Sequence, residues 1–213
     1  MKVRSVFLAT MFAVCLGSAT LKASSLGVDF IGSPDNFGDS VWNLGYEFQV
    51  NTDVTVTGLG NIDYGSVSSL PQPQQVGLWD SSGTLLASAY VNSSSTQIGN
   101  WAFTSIAPVA LTAGDTYIVG GQGGADYAGI TPVSVNPDIT YLTDEYTSNG
   151  GANSPLVEPI LTEGYTSPSE AGWFGGNVEF GTASTVPEPG SFLLVGSGLV
   201  LIGGYLRRKR RAA

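Results

Sequence analysis

Apolar and polar residues alternate at period two through the middle of this chain, and that alternation predicts strands. Trp42-Asn43-Leu44-Gly45-Tyr46-Glu47-Phe48-Gln49-Val50 is the clearest case, with Trp42, Leu44, Tyr46, Phe48 and Val50 on one face. After the turn Asn51-Thr52-Asp53, Val54 to Leu59 alternates again, with an irregularity expected at Gly58. Gln75 to Trp79 and Thr84 to Val91 flank the turn Asp80-Ser81-Ser82-Gly83 and predict a hairpin. Trp101 to Ile106 alternates imperfectly, Leu111 to Asp115 turns, and Thr116 to Gly120 gives a sixth strand. Such spacing predicts an all-β, antiparallel β-sandwich of jelly-roll-like form.

The flanking pattern is weaker. Ser24 to Ser40 holds a short apolar run, Val28 to Ile31, among turn residues. Tyr64 to Pro73 reads as a Ser/Pro loop. From Gly121 to Gly172 the alternation loosens among Pro132, Pro137, Pro155, Pro159 and Pro168, which predicts a long segment wrapped over the sandwich. Trp173 to Phe180 reads as the closing strand.

The ends differ from the body. Met1 to Ala23 has the form of a signal peptide: Lys2 and Arg4, an apolar stretch from Val6 to Leu16, then small residues that allow cleavage after Ala19 or after Ala23. At the other end, Ser191 to Leu206 carries no charge and is mostly apolar, about 24 Å long as a helix. That is short against a hydrocarbon core of roughly 30 Å, so bilayer thinning or snorkelling by Arg207 and Arg208 must help it span. The expected division is a signal peptide at 1–23, a sandwich at 24–181, a linker at 182–190, a transmembrane helix at 191–206 and a basic cytoplasmic tail at 207–213. The cluster Arg207, Arg208, Lys209, Arg210 and Arg211 sets the orientation, with the body outside.

Charge narrows the options further. All eight basic residues lie in the end segments, and all 17 acidic residues lie between Asp29 and Glu188. From Ala23 to Leu206 there is no Lys, Arg or His. The body has no cations with which to pair phosphates, so nucleic acid is excluded as a partner on that basis. The single cysteine, Cys15, lies in the leader. The body therefore lacks the residues for a Ser-His-Asp or Cys-His site, a Schiff base or a His-ligated metal.

Carboxylate chemistry is what remains. Asp144, Glu145, Glu158, Glu163 and Glu170 fall in the loose region and are the acids from which a glycosidase pair would be drawn; solvated loop acids are the plainer reading. No cofactor is certain, and calcium stays open, with Asp35, Asp39, Asp126, Asp138, Asp144 and Glu145 as candidate ligands. Gly120 to Asp126 is similar to a single, misspaced copy of a calcium-binding nonapeptide, but a glycine-rich turn after a strand fits better. Trp42, Trp79 and Trp101 sit in strand patterns and are expected in the core, leaving Trp173 as the least committed platform for a sugar ring.

The tail carries a resemblance. Val186-Pro187-Glu188-Pro189, the apolar run and the basic end together resemble the PEP-CTERM sorting signal of Gram-negative bacteria, a tail also labelled an ice-binding-protein C-terminal domain. The resemblance implies recognition by an exosortase, cleavage near Pro187-Glu188-Pro189, a stay in the inner membrane before processing, and delivery to the cell surface or extracellular matrix. It also implies an association with exopolysaccharide and biofilm. It implies nothing about ice binding by the body, which shows no regular Thr-x-Thr ladder. Leu44 to Phe48, Val76 to Asp80, Gly83 to Ala87 and Leu111 to Tyr117 look like an uncharacterised family of secreted β-sandwich proteins. The expected function is thus a non-catalytic surface or matrix protein. A carbohydrate-binding module and a carboxylate-dependent glycan hydrolase are the alternatives.

Overall fold

The computed structural model describes residues 25–37, 42–63, 73–122, 127–129, 132–148, 154–170 and 172–181. The signal peptide, the sorting residues Val186 to Pro189, the apolar run and the basic cluster Arg207 to Arg211 lie outside the described residues, as do Asp39 and Asp126.

Two five-stranded sheets carry the fold, and all of their pairing is antiparallel. One runs β1 (Ser25–Leu26), β15 (Gly176–Phe180), β5 (Val54–Ile62), β9 (Trp101–Leu111), β8 (Thr96–Ile98). The other runs β13 (Ile139–Thr147), β4 (Asn43–Val50), β10 (Thr116–Gln122), β6 (Gln74–Asp80), β7 (Leu85–Val91). Two small sheets join β14 (Trp173–Phe174), β11 (Tyr127–Gly129) and β3 (Asp35–Phe37), and β12 (Val133–Val135) with β2 (Val28–Phe30).

The core follows from the alternation. Leu44, Tyr46, Phe48 and Val50 are buried, and Trp42 packs against them half-buried. Val76 and Leu78 from β6, Val119 from β10 and Val56 and Leu59 from β5 complete the apolar layer between the sheets. The indole of Trp101 stacks on Phe30 with ring centroids 5.1 Å apart and planes 4° from parallel. The expected irregularity at Gly58 is present as a register shift between Val56 and Gly58.

Polar side chains inside this layer are satisfied in two places. Asn177 Oδ1 accepts from Tyr46 Oη at 2.8 Å and from the amides of Val28 and Val178, while Asn177 Nδ2 donates to the Val28 carbonyl. Asn61 Nδ2 donates to Gln74 Oε1 and to the Gln122 carbonyl. Gln122 in turn donates from Nε2 to the Ser154 carbonyl. Burial raises the Tyr46 hydroxyl well above the ordinary tyrosine value.

Several elements differ from the expectation. β9 continues through Pro108 to Leu111, because β8 pairs only with Trp101–Phe103 and leaves the outer half of β9 as an edge. A proline on an edge removes no ladder bond. The loose region contains a full strand, β13, beside β4, so only 154–170 behaves as the wrapping segment. The closing segment splits at Gly175: β14 joins a small sheet and β15 joins the first large one.

The ends of the body meet. Ser25 pairs with Phe180 and Leu26 with Glu179, and the apolar cluster draws on residues from Val28 to Phe180. Among the described residues, every sheet and the apolar core are thus drawn from within 25–181.

Candidate functional site

The outer face of the β13-β4-β10-β6-β7 sheet is built around a row of glycines. Glu145 on β13 lies opposite Gly45 on β4; Gly45 lies opposite Gly120, Gly120 opposite Gly77, and Gly77 opposite Ser88 on β7. A row without side chains leaves a trough, and two groups fill it. The Trp79 indole folds back over Gly77, where a Cβ would stand 2.4 Å from its ring, and Pro159 sits over Gly120, where a Cβ would stand 2.6 Å from Cγ. Trp79 is buried in consequence, although its strand position faces away from the core.

Pro159 belongs to a strap, residues 154–161, held at four points. Gln122 Nε2 donates to the Ser154 carbonyl, Asn43 Nδ2 to the Val157 carbonyl, and the backbones of Ile160 and Leu161 bond Tyr146 at the free edge of β13. Glu145 stands between the Gly45 row and this edge and is only 8% exposed. Its Oε2 has no hydrogen-bond partner among the described residues. Burial first, then the charges of Glu47, Asp144 and Glu158, push its carboxyl up to about 7. Burial and the charge of Asp80 also raise Glu158. Asp80 itself is held below the usual carboxylate range, chiefly by its bond from Ser82 in the hairpin turn.

Asp144 and Glu145 are neighbours in sequence but point to opposite faces. Asp144 lies opposite the inward residue Tyr46, is 1% exposed, and accepts at Oδ1 from Thr162 Oγ1 and the Tyr165 amide. Asp144 and Glu145 therefore do not converge as a pair. Glu163 accepts a long bond from Trp173 Nε1, and Glu170 sits in the turn Ser167–Glu170. Glu47, opposite Thr143 on the outer face, joins the acidic group without having been singled out in the sequence. Its proximity to Glu145 depends on β13 pairing with β4, a strand that the alternation does not reveal. Among the described residues no three carboxylates gather as a metal site.

Of the tryptophans, Trp101 and Trp79 are buried, Trp42 packs edge-on against Tyr146, and Trp173 is half-buried beside Glu163. A separate cleft of about 360 Å³ opens beside Ser25 and Gly181, the ends of the described body. Asp53, Asp138, Thr55 and Thr112 give it polar walls over Leu111 and Phe180, with Ser25 and Gly181 at its rim. The carboxylate of Asp53 accepts from the Ala113 amide and that of Asp138 from Thr52 Oγ1.

Two family models match. A domain of unknown function, DUF4082, matches residues 32–129, which covers the strands from β3 to β11 but not β13, the strap or β15. No curated protein matches the chain. The PEP-CTERM protein-sorting motif matches residues 185–211, so this chain carries an exosortase sorting motif behind an all-β body and is an exported protein.

Proposed function

We propose that the chain is a non-catalytic surface or matrix protein, delivered by its tail and associated with exopolysaccharide. The observation that carries this reading is the sorting motif at 185–211, which begins a few residues after the last strand of the body. In this reading Val186, Pro187, Glu188 and Pro189 are read by the exosortase. The run from Ser191 to Leu206 stops in the inner membrane, and Arg207, Arg208, Lys209, Arg210 and Arg211 keep that end in the cytoplasm. The pairing of β1 with β15 supports it, because the two ends of the described body then lie together. A body tethered at one end presents its far side outward.

The non-catalytic part rests on residue chemistry. The body offers neither imidazole, amine nor thiol. Its most perturbed carboxyl, Glu145, lies beneath a strap, and its neighbour Asp144 faces the other way. Replacing Pro187 and Glu188 by alanine is expected to abolish processing and retain the tail. Unchanged mature mass and location in that variant would refute the sorting role.

One observation favours a second reading, a carbohydrate-binding module. The end cleft combines two carboxylates with threonine hydroxyls over an apolar floor, a lining able to bond sugar hydroxyls. A glycan array with residues 24–184 tests it, binding lost on Asp53→Asn with Asp138→Asn being the supporting result. Hydrolysis of any glycan on the array would instead revive the hydrolase reading.

A further inference from the structure

Strand β7 ends the second sheet; its register shifts once, at Leu86, where Leu78 pairs with Ala87 but Trp79 with Leu85, and the strand carries neither charge nor proline. From Ser81 to Gly114 the chain carries no charged residue, although 17 acids are spread over the rest of it. β7 contains no proline, and Leu85, Leu86 and Tyr90 are exposed at 47%, 36% and 57%. Natural edges are blunted by charge, proline or cover, because their free backbone groups template pairing with another chain.

The sequence of this edge is symmetric in size about Ser88. Leu86-Ala87-Ser88-Ala89-Tyr90 runs large, small, Ser, small, large. Ala87 and Ala89 lie opposite Leu78 and Val76 and pack on the core, while Ser88 and Tyr90 lie opposite Gly77 and Gln75 on the outer face. A two-fold axis at Ser88 would set two such strands antiparallel, with Leu86 of each copy across from Tyr90 of the other. A self-complementary patch of this kind is what an isologous dimer requires. Apolar–aromatic pairs across antiparallel strands are among the more stabilising ones.

We infer that β7 is a homodimer seam: a second copy of this chain adds to it antiparallel about Ser88 and joins the two sheets into one. Charge selects the occupant and the place. Two copies with many acids and no cations in the body repel through their acidic surfaces, and this uncharged edge is where they approach at least cost. Asp80 and Glu158 flank it only at the hairpin turn, Glu158 beside Gly83. The Tyr90 carbonyl already accepts from Thr104 Oγ1 at 2.9 Å, which ties the far end of the strand to β9; a carbonyl oxygen has two acceptor positions. The sheet's glycine row ends at Ser88, so the seam continues the face that carries Glu145.

Sedimentation equilibrium of residues 24–184 tests this. The expected result is a particle of twice the monomer mass, reduced to the monomer by Leu86→Lys with Tyr90→Lys while the circular dichroism stays unchanged. The unit contains no cysteine, so Ser88→Cys gives a second readout. Oxidation should couple it to a covalent dimer, and Ser134→Cys, exposed on β12, should stay monomeric under the same conditions. A wild-type monomer at every concentration overturns the inference. So does a dimer that survives the lysine variant, or coupling at Ser134→Cys as complete as at Ser88→Cys.

Discussion

Glu145 is a carboxyl whose neighbours are all of its own sign. Its folded pKa, about 7, lies above the ordinary 4.5 expected in the unfolded chain. Between these values the folded state holds the extra proton, so stability falls as pH rises through about 7 and is recovered on acidification. Glu145→Gln, which keeps the shape and removes the charge, should stabilise the body by roughly 2 kcal/mol near pH 8 and by little near pH 5. Thermal melts of the two proteins at both pH values check this; equal melting temperatures at the higher pH would show that the carboxyl is not buried as described. Asn177 makes the opposite kind of contribution, because all its buried partners are satisfied. Asn177→Ala leaves the Tyr46 hydroxyl and the Val28 backbone without their partner and should cost about 3 kcal/mol in a denaturant titration.

Six strands of the body were legible because each keeps a stretch of period-two alternation, even where a register shift interrupts it, as at Gly58. β13 was not, and its bulge explains why. Ile139 and Tyr141 face inward before the register shift between Tyr141 and Thr143; afterwards the inward positions are Asp144 and Tyr146. The phase changes mid-strand and one inward residue is an acid, so no alternation survives to be read. The acidic group inherits that blindness: Glu47 meets Glu145 only once β13 is laid beside β4. The tail was legible for a different reason, since its three parts are compositional and need no fold. The wrapping segment was half-legible, as prolines marked it, but its anchors Gln122 and Asn43 look like ordinary strand positions. The glycine row sets a test at this level. A Cβ on Gly45 would stand 1.8 Å from the Val119 carbonyl oxygen, a backbone atom that cannot step aside. Gly45→Ala should therefore cost at least about 2 kcal/mol, more than an exposed Gly→Ala change in the same sheet. An unchanged melting temperature would mean that β4 and β10 are not in this register.

At the scale of the whole molecule, an acidic sandwich lies between two end segments that hold all eight basic residues. The first and last strands of the described body pair with each other, Ser25 with Phe180 and Leu26 with Glu179. Screening should help such a body, and added salt is expected to raise its melting temperature, most at high pH where Glu145 is ionised. Delivery by the sorting motif is what sets this protein apart. Its most direct measurement is the mass of the mature protein from the producing bacterium, wild type beside Pro187→Ala with Glu188→Ala. The prediction is a wild-type species lacking the apolar run and Arg207 to Arg211, with a variant that keeps them in the membrane fraction. A wild-type protein that retains its basic tail, or a variant processed like the wild type, would contradict it.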